Sequence, residues 1–365
     1  MSPRARQVEI PRLLHVGAGC LSAVADLLAD HDFDLGCVLV GSGPGPSRTF
    51  AEGVLADLRG HCVRVLHMPN LHGRLDEAAA TAGRIIEDGV TTALAVGGGR
   101  VIDSVKLAAA RTGVDFVSIP TAVSHDGISS PVASLVGRNG TRCSHAARMP
   151  CGIVVDVCAI GSAPPATIRA GAADLLSNLT ACLDWRLAGS KGCEHYDAYA
   201  AMIAETAARP ILDLQELASP ASHEVVAQGL LLSGLAMAAA GSSRPCSGAE
   251  HLISHALDVQ LGPRAALHGE QVALGCLIAV AAYDSAQTPD LLPTFTRLGL
   301  PTAPEDLGMS REELVDAVLA APAVRRDRWT ILSDRFRTRA AAEELIAHAF
   351  DVPPPVLKRL PLIEA

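Results

Sequence analysis

Two histidines, His251 and His255, stand one helical turn apart in Glu250-His251-Leu-Ile-Ser254-His255. Residues at i and i+4 share a helix face, so both imidazoles can address one site. A third, His268, follows in Leu267-His268-Gly269-Glu270-Gln271, at the start of another helical run. Imidazoles in this pattern point to a divalent metal. A carboxylate is the natural protein donor beside two histidines, and a catalytic metal keeps one position open for substrate. Asp174 is the best candidate, because it lies in the apolar run Ala170-Gly-Ala-Ala-Asp174-Leu-Leu-Ser, where a lone carboxylate is costly unless paired or metal-bound. Spacing alone does not bring the three segments together. Zinc is the first expectation for an Asp/His/His set, with nickel, iron and manganese open to the same donors.

A second group of residues suits a dinucleotide. Gly97-Gly98-Gly99 ends an apolar run and precedes a helical pattern beginning near Arg100. Glycines there let backbone approach a pyrophosphate, which the free amides of the helix start then bind. A tight turn needing positive φ would also account for the triplet, which is not the GxGxxG fingerprint. One strand and one helix later, residues 118–131 (Ser-Ile-Pro-Thr-Ala-Val-Ser-His-Asp-Gly-Ile-Ser-Ser-Pro) crowd hydroxyls, a carboxylate and an imidazole onto one loop. Loops leaving the carboxyl ends of parallel strands are where α/β sheets bind ligands.

Holding these groups requires two kinds of framework. Strand patterns at 36–45, 63–69, 91–99, 115–121 and 152–157 alternate with helical ones such as 76–89, which implies a doubly wound parallel sheet. Asn-Gly within 133–144 signals a hairpin. Beyond about residue 163 long Ala/Leu-rich stretches replace the strands, and helices are expected over 167–188, 197–218, 221–240, 247–259, 267–285, 310–320 and 339–350. The expected architecture is an α/β Rossmann-like dinucleotide-binding domain over 1–162, followed by an all-helical metal- and substrate-binding domain over 163–365.

Composition narrows the partners. A chain of 365 residues with 49% hydrophobic content can bury two cores. A formal charge of −9 supplies no basic face for nucleic acid or an anionic membrane, so a small-molecule substrate is expected. Without a secretory leader pattern or a run of about 18 apolar residues, the expected location is the cytoplasm. The ten cysteines form no CxxC pair, which argues against a zinc knuckle or a disulfide framework.

Taken in order, Gly97-Gly-Gly-Arg-Val-Ile-Asp103, Pro120 to Pro131, Ala173-Asp-Leu-Leu176, Arg244-Pro-Cys-Ser-Gly-Ala-Glu-His-Leu-Ile-Ser-His255 and Leu267-His-Gly-Glu-Gln271 resemble the sn-glycerol-1-phosphate dehydrogenase family. That family sits in the larger group of iron-type alcohol dehydrogenases, glycerol dehydrogenase and dehydroquinate synthase, and the resemblance spans residues 15 to about 335. It implies a metal-dependent oxidoreductase moving hydride between NAD(P)H and glycerone phosphate, a step of phospholipid biosynthesis, on a dehydroquinate synthase-like fold. It further implies cofactor contacts at Gly97, Gly98, Gly99, Thr121, Ser124 and Ser130. Substrate contacts would come from Asp126, Asp174 and His255, and metal ligation from Asp174, His251 and His268. A homo-oligomer is expected. A glycerol dehydrogenase-like activity on another polyol, or a carbocyclic sugar-phosphate synthase, would keep most of these motifs, although the synthases lead one to expect Glu at the first ligand. NAD and NADP both stay open, since Val38-Leu-Val-Gly41-Ser42-Gly43 carries no acid and Arg48 could meet a 2′-phosphate. Arg325, Arg326 and Arg328 are candidates for the substrate phosphate, against the alternative of a solvated basic loop.

Overall fold

The computed structural model describes residues 8–138, 140, 142–283 and 290–351. Within them the strands are β1 (Leu13–Gly17), β2 (Cys37–Ser42), β3 (Arg64–Met68), β4 (Thr92–Gly97), β5 (Asp115–Pro120), β6 (Val132–Val136), β7 (Arg142–Ala146) and β8 (Gly152–Asp156). Six form one parallel sheet in the order β1-β8-β5-β4-β2-β3. β2, β4 and β8 are buried along their whole length, as expected for strands covered on both faces and written as near-continuous apolar runs. From β2 the chain steps outward to β3, then returns to β4 and proceeds the other way through β5 to β8. The direction therefore reverses between β2 and β4, and ligands of such sheets bind outside the carboxyl ends of the strands at this reversal.

The sequence reading did not foresee β1. Among the described residues it pairs with β8 alone, Leu13 opposite Gly152, a partner far along the chain that no local pattern signals. β6 and β7 pair antiparallel, Val132 opposite Ala146 and Val136 opposite Arg142, which is the expected hairpin. Asn139 of its expected turn lies outside the described residues.

After Asp156 the described residues form helices and no further strand. Those at Pro165–Ser190, Pro220–Ala240, Ala249–Leu261, His268–Tyr283, Arg311–Val324 and Arg339–Asp351 fall close to the expected spans. The expected extension of the fifth span beyond Tyr283 falls on residues outside the description. The helix expected over 197–218 is instead Ala198–Asp213. Arg297 ends it by donating to the carbonyls of Leu212 (2.6 Å) and Leu214 (2.8 Å) from a short helix, Leu292–Leu298, that the sequence reading missed. Pro220–Ala240 is long and apolar enough to cross a membrane, but 61% of that stretch is buried inside the fold. The largest apolar cluster runs from Ile153 and Val155 of β8 through Ala172 and Leu176 to Val272, so sheet and helices share a core.

Candidate active site

Three helices meet where glycines allow their backbones to touch. A Cβ at Gly269 would overlap the backbone of Ala170, and one at Gly275 would lie 2.6 Å from Glu250 Cα. Both positions need a residue without a side chain. The first contact sets His268 beside the helix carrying Asp174, one turn beyond Ala170, and the second sets the Ala249–Leu261 helix against the helix of His268.

The three expected ligands converge. His251 Nε2 lies 3.4 Å and His268 Nε2 3.9 Å from Asp174 Oδ1, and the three donor atoms lie within 4.8 Å of one another. The other ring nitrogens are committed. His251 Nδ1 faces Glu250 Oε1 at 3.1 Å, and a carboxylate only accepts, so the nitrogen donates. His268 Nδ1 bonds Ser254 Oγ at 2.9 Å, and that hydroxyl donates to Gln271 Oε1 at 3.2 Å, so it accepts from the imidazole. Gln271 Nε2 in turn donates to Asp258 Oδ1 (3.1 Å) and the Ala266 carbonyl (2.9 Å). These outer bonds fix each ring so that its Nε2 faces the aspartate, the usual support of a metal-bound histidine.

Asp174 is 3% exposed. Its Oδ2 accepts from the Asp126 amide at 2.9 Å, whereas its buried Oδ1 has no hydrogen-bond partner. An orphaned carboxylate oxygen facing two imidazole Nε2 atoms lacks a cation, and a divalent ion on Asp174, His251 and His268 fits the deficit. Protonation tells the same story. Burial works against charge on His251, yet the carboxylates of Asp174 and Glu250 on either side outweigh it and raise the imidazole to about 10. Without a metal, a proton supplies the missing positive charge. Burial and the Asp174 carboxylate push Asp126 upward, while burial and His251 push His268 down. His255 stacks on His268 with ring centres 5.5 Å apart. Its own burial, then His251, Arg325 and Arg328, lower it to about 3. His255, Asp258 and His268 also cluster, but Asp258 and His268 Nδ1 are engaged through Gln271 and Ser254, so they brace the first set.

The glycine loop lies at the sheet's reversal. Gly97, Gly98 and Gly99 all lack positive φ, which removes the turn explanation of the triplet. Space explains two of them: a Cβ at Gly97 would sit 2.7 Å from Ser47 Oγ, and one at Gly99 would enter the His125 ring. Gly98 faces open space and caps the Gly99–Thr112 helix without any side-chain cap, leaving backbone amides available. Thr121 donates its amide to Gly97 O at 3.1 Å and so lines this loop. Ser124 is partly exposed on the same segment, whereas the Ser130 hydroxyl turns inward to Val132 O at 3.3 Å.

Five residues gained roles that spacing did not reveal. His125 accepts the Gly127 amide on Nδ1 at 2.9 Å and stands edge-on to His268, 6.4 Å between ring centres, so it joins the glycine loop to the metal cluster. Lys106, 1% exposed, donates to Asp103 Oδ1 (2.9 Å) and to the carbonyls of Gly127 and Val132 (both 2.7 Å), tying down the Asp126 loop. The i, i+3 pairing of an acid and a lysine in the glycine motif was the available signal for this anchor. Glu250, Ser254 and Gln271 stand in the quoted motifs, but only the fold shows which ring each one holds.

Of the three arginines, Arg326 is exposed and fits the solvated-loop alternative, whereas Arg328 is 5% exposed and corrects it. Arg48, on the helix following β2, pairs with Glu52 at 3.3 Å in solvent.

Comparison with known proteins identifies the family. Residues 15–164 match the family model for iron-containing alcohol dehydrogenase. The chain is 35% identical to glycerol-1-phosphate dehydrogenase [NAD(P)+] of Methanothermobacter thermautotrophicus over 346 residues, covering 93% of this chain and 97% of that one. It is 42% identical to the enzyme of the same name from Staphylothermus marinus over 278 residues, 74% and 78% of the two chains. In fold it resembles a probable glycerol dehydrogenase from Sinorhizobium meliloti 1021 (TM-score 0.76, 23% identity, 96% of this chain and 100% of that one). Glycerol dehydrogenase from Schizosaccharomyces pombe is similar in the same way (TM-score 0.77, 19% identity, 95% and 92%). By sequence along nearly its whole length, the chain belongs to the glycerol-1-phosphate dehydrogenase family.

Proposed function

We propose that this chain is a metal-dependent dehydrogenase that interconverts glycerone phosphate and sn-glycerol 1-phosphate with NAD(H) or NADP(H). The observation that carries the reading is the orphaned Asp174 Oδ1 faced by His251 and His268 Nε2. His125 links that cluster to the glycine loop. When bound, the ion supplies a Lewis acid for a carbonyl or alkoxide oxygen, and the dinucleotide supplies the hydride.

The protein's own share is placement and proton control. Gly98 and the uncapped helix start receive the pyrophosphate, and Thr121 and Ser124 line the same loop. Asp126, held by its amide on Asp174, faces the substrate beside the metal ligands. His255, stacked on His268 and kept neutral by its surroundings, orients the substrate oxygen and passes a proton. Zinc is the first choice for the donors, which also accept nickel, iron or manganese. All ten cysteines are free, as befits a cytoplasmic enzyme.

The test is spectrophotometric. Purified, metal-loaded protein should oxidise NADH or NADPH at 340 nm stoichiometrically with glycerone phosphate, and far more slowly with dihydroxyacetone. Faster turnover of dihydroxyacetone would assign a free-polyol dehydrogenase instead. Absence of net oxidation would oppose a dehydrogenase altogether.

A further inference from the structure

The helices that carry Asp174, His251 and His268 meet a second time, at Asp184. This aspartate lies on Pro165–Ser190, the helix of Asp174, and is fully buried. Its Oδ2 accepts the amide of Ala249 at 2.6 Å, the first residue of the helix that bears His251, whose N-cap Gly248 has no side chain to offer. Its Oδ1 accepts the Tyr283 hydroxyl (2.7 Å), at the opposite end of His268–Tyr283 from the ligand, and the Ile331 amide (2.7 Å). Gly269 lies against Ala170 at one end and Tyr283 against Asp184 at the other, the same number of residues along each, so these two helices run side by side. Glu250, which holds His251 Nδ1 with one oxygen, accepts the Thr180 hydroxyl with the other at 3.1 Å, and Thr180 stands one turn before Asp184. A Cβ at Gly248 would lie 2.7 Å from Asp184 Oδ2 and 3.0 Å from Glu250 Oε2, so two buried carboxylates crowd one glycine. Among the described residues the ion-pair partner of Glu250 is His251 alone, and Asp184 has none. Burial, then Glu250, raise Asp184 to about 6 against the pull of its three donors.

We propose that Asp184 is a positioning residue for the reaction: from the helix of Asp174 it caps the His251 helix and pins the far end of the His268 helix, and so holds the three donors in ligating register before an ion arrives. The proposal rests on the metal-site reading and names the residue that preforms that site. Asp184 bonds none of the three donors and acts through the helix ends. The cap lies within one turn of His251, and it seats the helix so that Thr180 and Glu250 meet the His251 ring. A buried carboxylate beside another is a costly way to join helices that apolar side chains would also hold. Apolar contacts leave helices free to slide, whereas three directed bonds to one carboxylate fix their register. Loosening those bonds therefore lets His251 and His268 drift from Asp174 and costs metal affinity before it costs the fold.

The test uses the full-length protein, the parent beside Asp184→Asn and Tyr283→Phe, with zinc and cobalt(II) as probes. Competition with a chromogenic chelator should show the zinc affinity of the folded chain lowered by about 10- to 100-fold in Asp184→Asn and by about 3- to 10-fold in Tyr283→Phe, which loses one hydrogen bond. The visible bands of bound cobalt(II) should shift in both variants as the ligand geometry relaxes. In the zinc-loaded variants kcat for glycerone phosphate should fall, while its KM and the affinity for NADH stay near the parent's. A merely structural role would lower the melting temperature and leave the folded chain's zinc affinity and cobalt spectrum as in the parent, and that result would overturn the proposal. If Asp184→Asn does not fold, Tyr283→Phe decides on the same two readouts. A parent that binds no zinc would defeat the metal-site reading and the positioning role with it, whereas equal zinc binding by the parent and the variants would defeat the positioning role alone.

Discussion

Two buried acidic clusters lie on either side of the Asp126 loop. Asp103 and Lys106 form a closed set: the ammonium has three acceptors, and Asp103 Oδ2 accepts from the Ser134 amide at 2.9 Å. Asp174, His251 and His268 form an open set in which one carboxylate oxygen is orphaned and two imidazole Nε2 atoms face it. Both carboxylates, Asp103 and Asp174, are buried and both sets stand in sequence motifs, so neither carboxylate burial nor motif membership separates scaffold from site. Completeness of hydrogen bonding does.

Breaking each set in turn should give opposite signatures. Asp174→Ala should lower metal affinity and glycerone phosphate reduction by more than about a hundredfold. The metal-free form should keep most of its stability, since the loss of the Asp126 amide bond and of the pairing with protonated His251 is offset in part by removal of the buried, unbonded Oδ1. Metal analysis and calorimetry check both halves, and a large loss of metal-free stability would make Asp174 a scaffold residue. Lys106→Met should do the reverse, costing about 3–5 kcal/mol of stability by stranding Asp103, while bound metal per folded chain is kept. Denaturant unfolding beside metal analysis reads this, and an unchanged midpoint would show that the closed set holds nothing.

Smaller changes sharpen the contrast. Ser254→Ala removes the acceptor of His268 Nδ1 and should weaken metal binding by about 10- to 100-fold without moving the melting temperature much. Competition with a chromogenic chelator measures it, and parent-like affinity would mean that the ring needs no outer support. Gly98→Val should weaken NADH binding by roughly tenfold, through crowding of the space a pyrophosphate needs, and leave metal binding alone, because no protein atom lies within 4 Å of a Cβ there. Equal fluorescence titrations of mutant and parent would reduce the loop to a connection.

Much of this was legible before the fold. The apolar runs of β2, β4 and β5, the glycine triplet and the Ala/Leu-rich second half announced a parallel sheet followed by helices; residue type and helical spacing offered Asp174, His251, His255 and His268 as candidate donors, and the family resemblance selected Asp174, His251 and His268 among them. Other features depend on distant pairing. β1 gains its identity only beside β8, and the Ala198–Asp213 helix ends early because Arg297, far along the chain, takes its last carbonyls. Which nitrogen of each imidazole is tied, and that Arg328 is buried rather than solvated, are properties of packing that no window of sequence contains.

The proposed function requires the open set to be a single divalent-metal site on which reduction depends. Chelated protein, titrated with zinc while NADH oxidation by glycerone phosphate is followed at 340 nm, should gain activity linearly up to a sharp break at about one ion per chain. His251, raised to about 10 in the metal-free protein, is protonated at neutral pH and must lose that proton to ligate. Zinc uptake at pH 7 should therefore release protons, and apparent affinity should rise with pH up to that value. Full turnover in the chelated protein, or zinc uptake by Asp174→Ala with the parent's stoichiometry and affinity, would contradict the account.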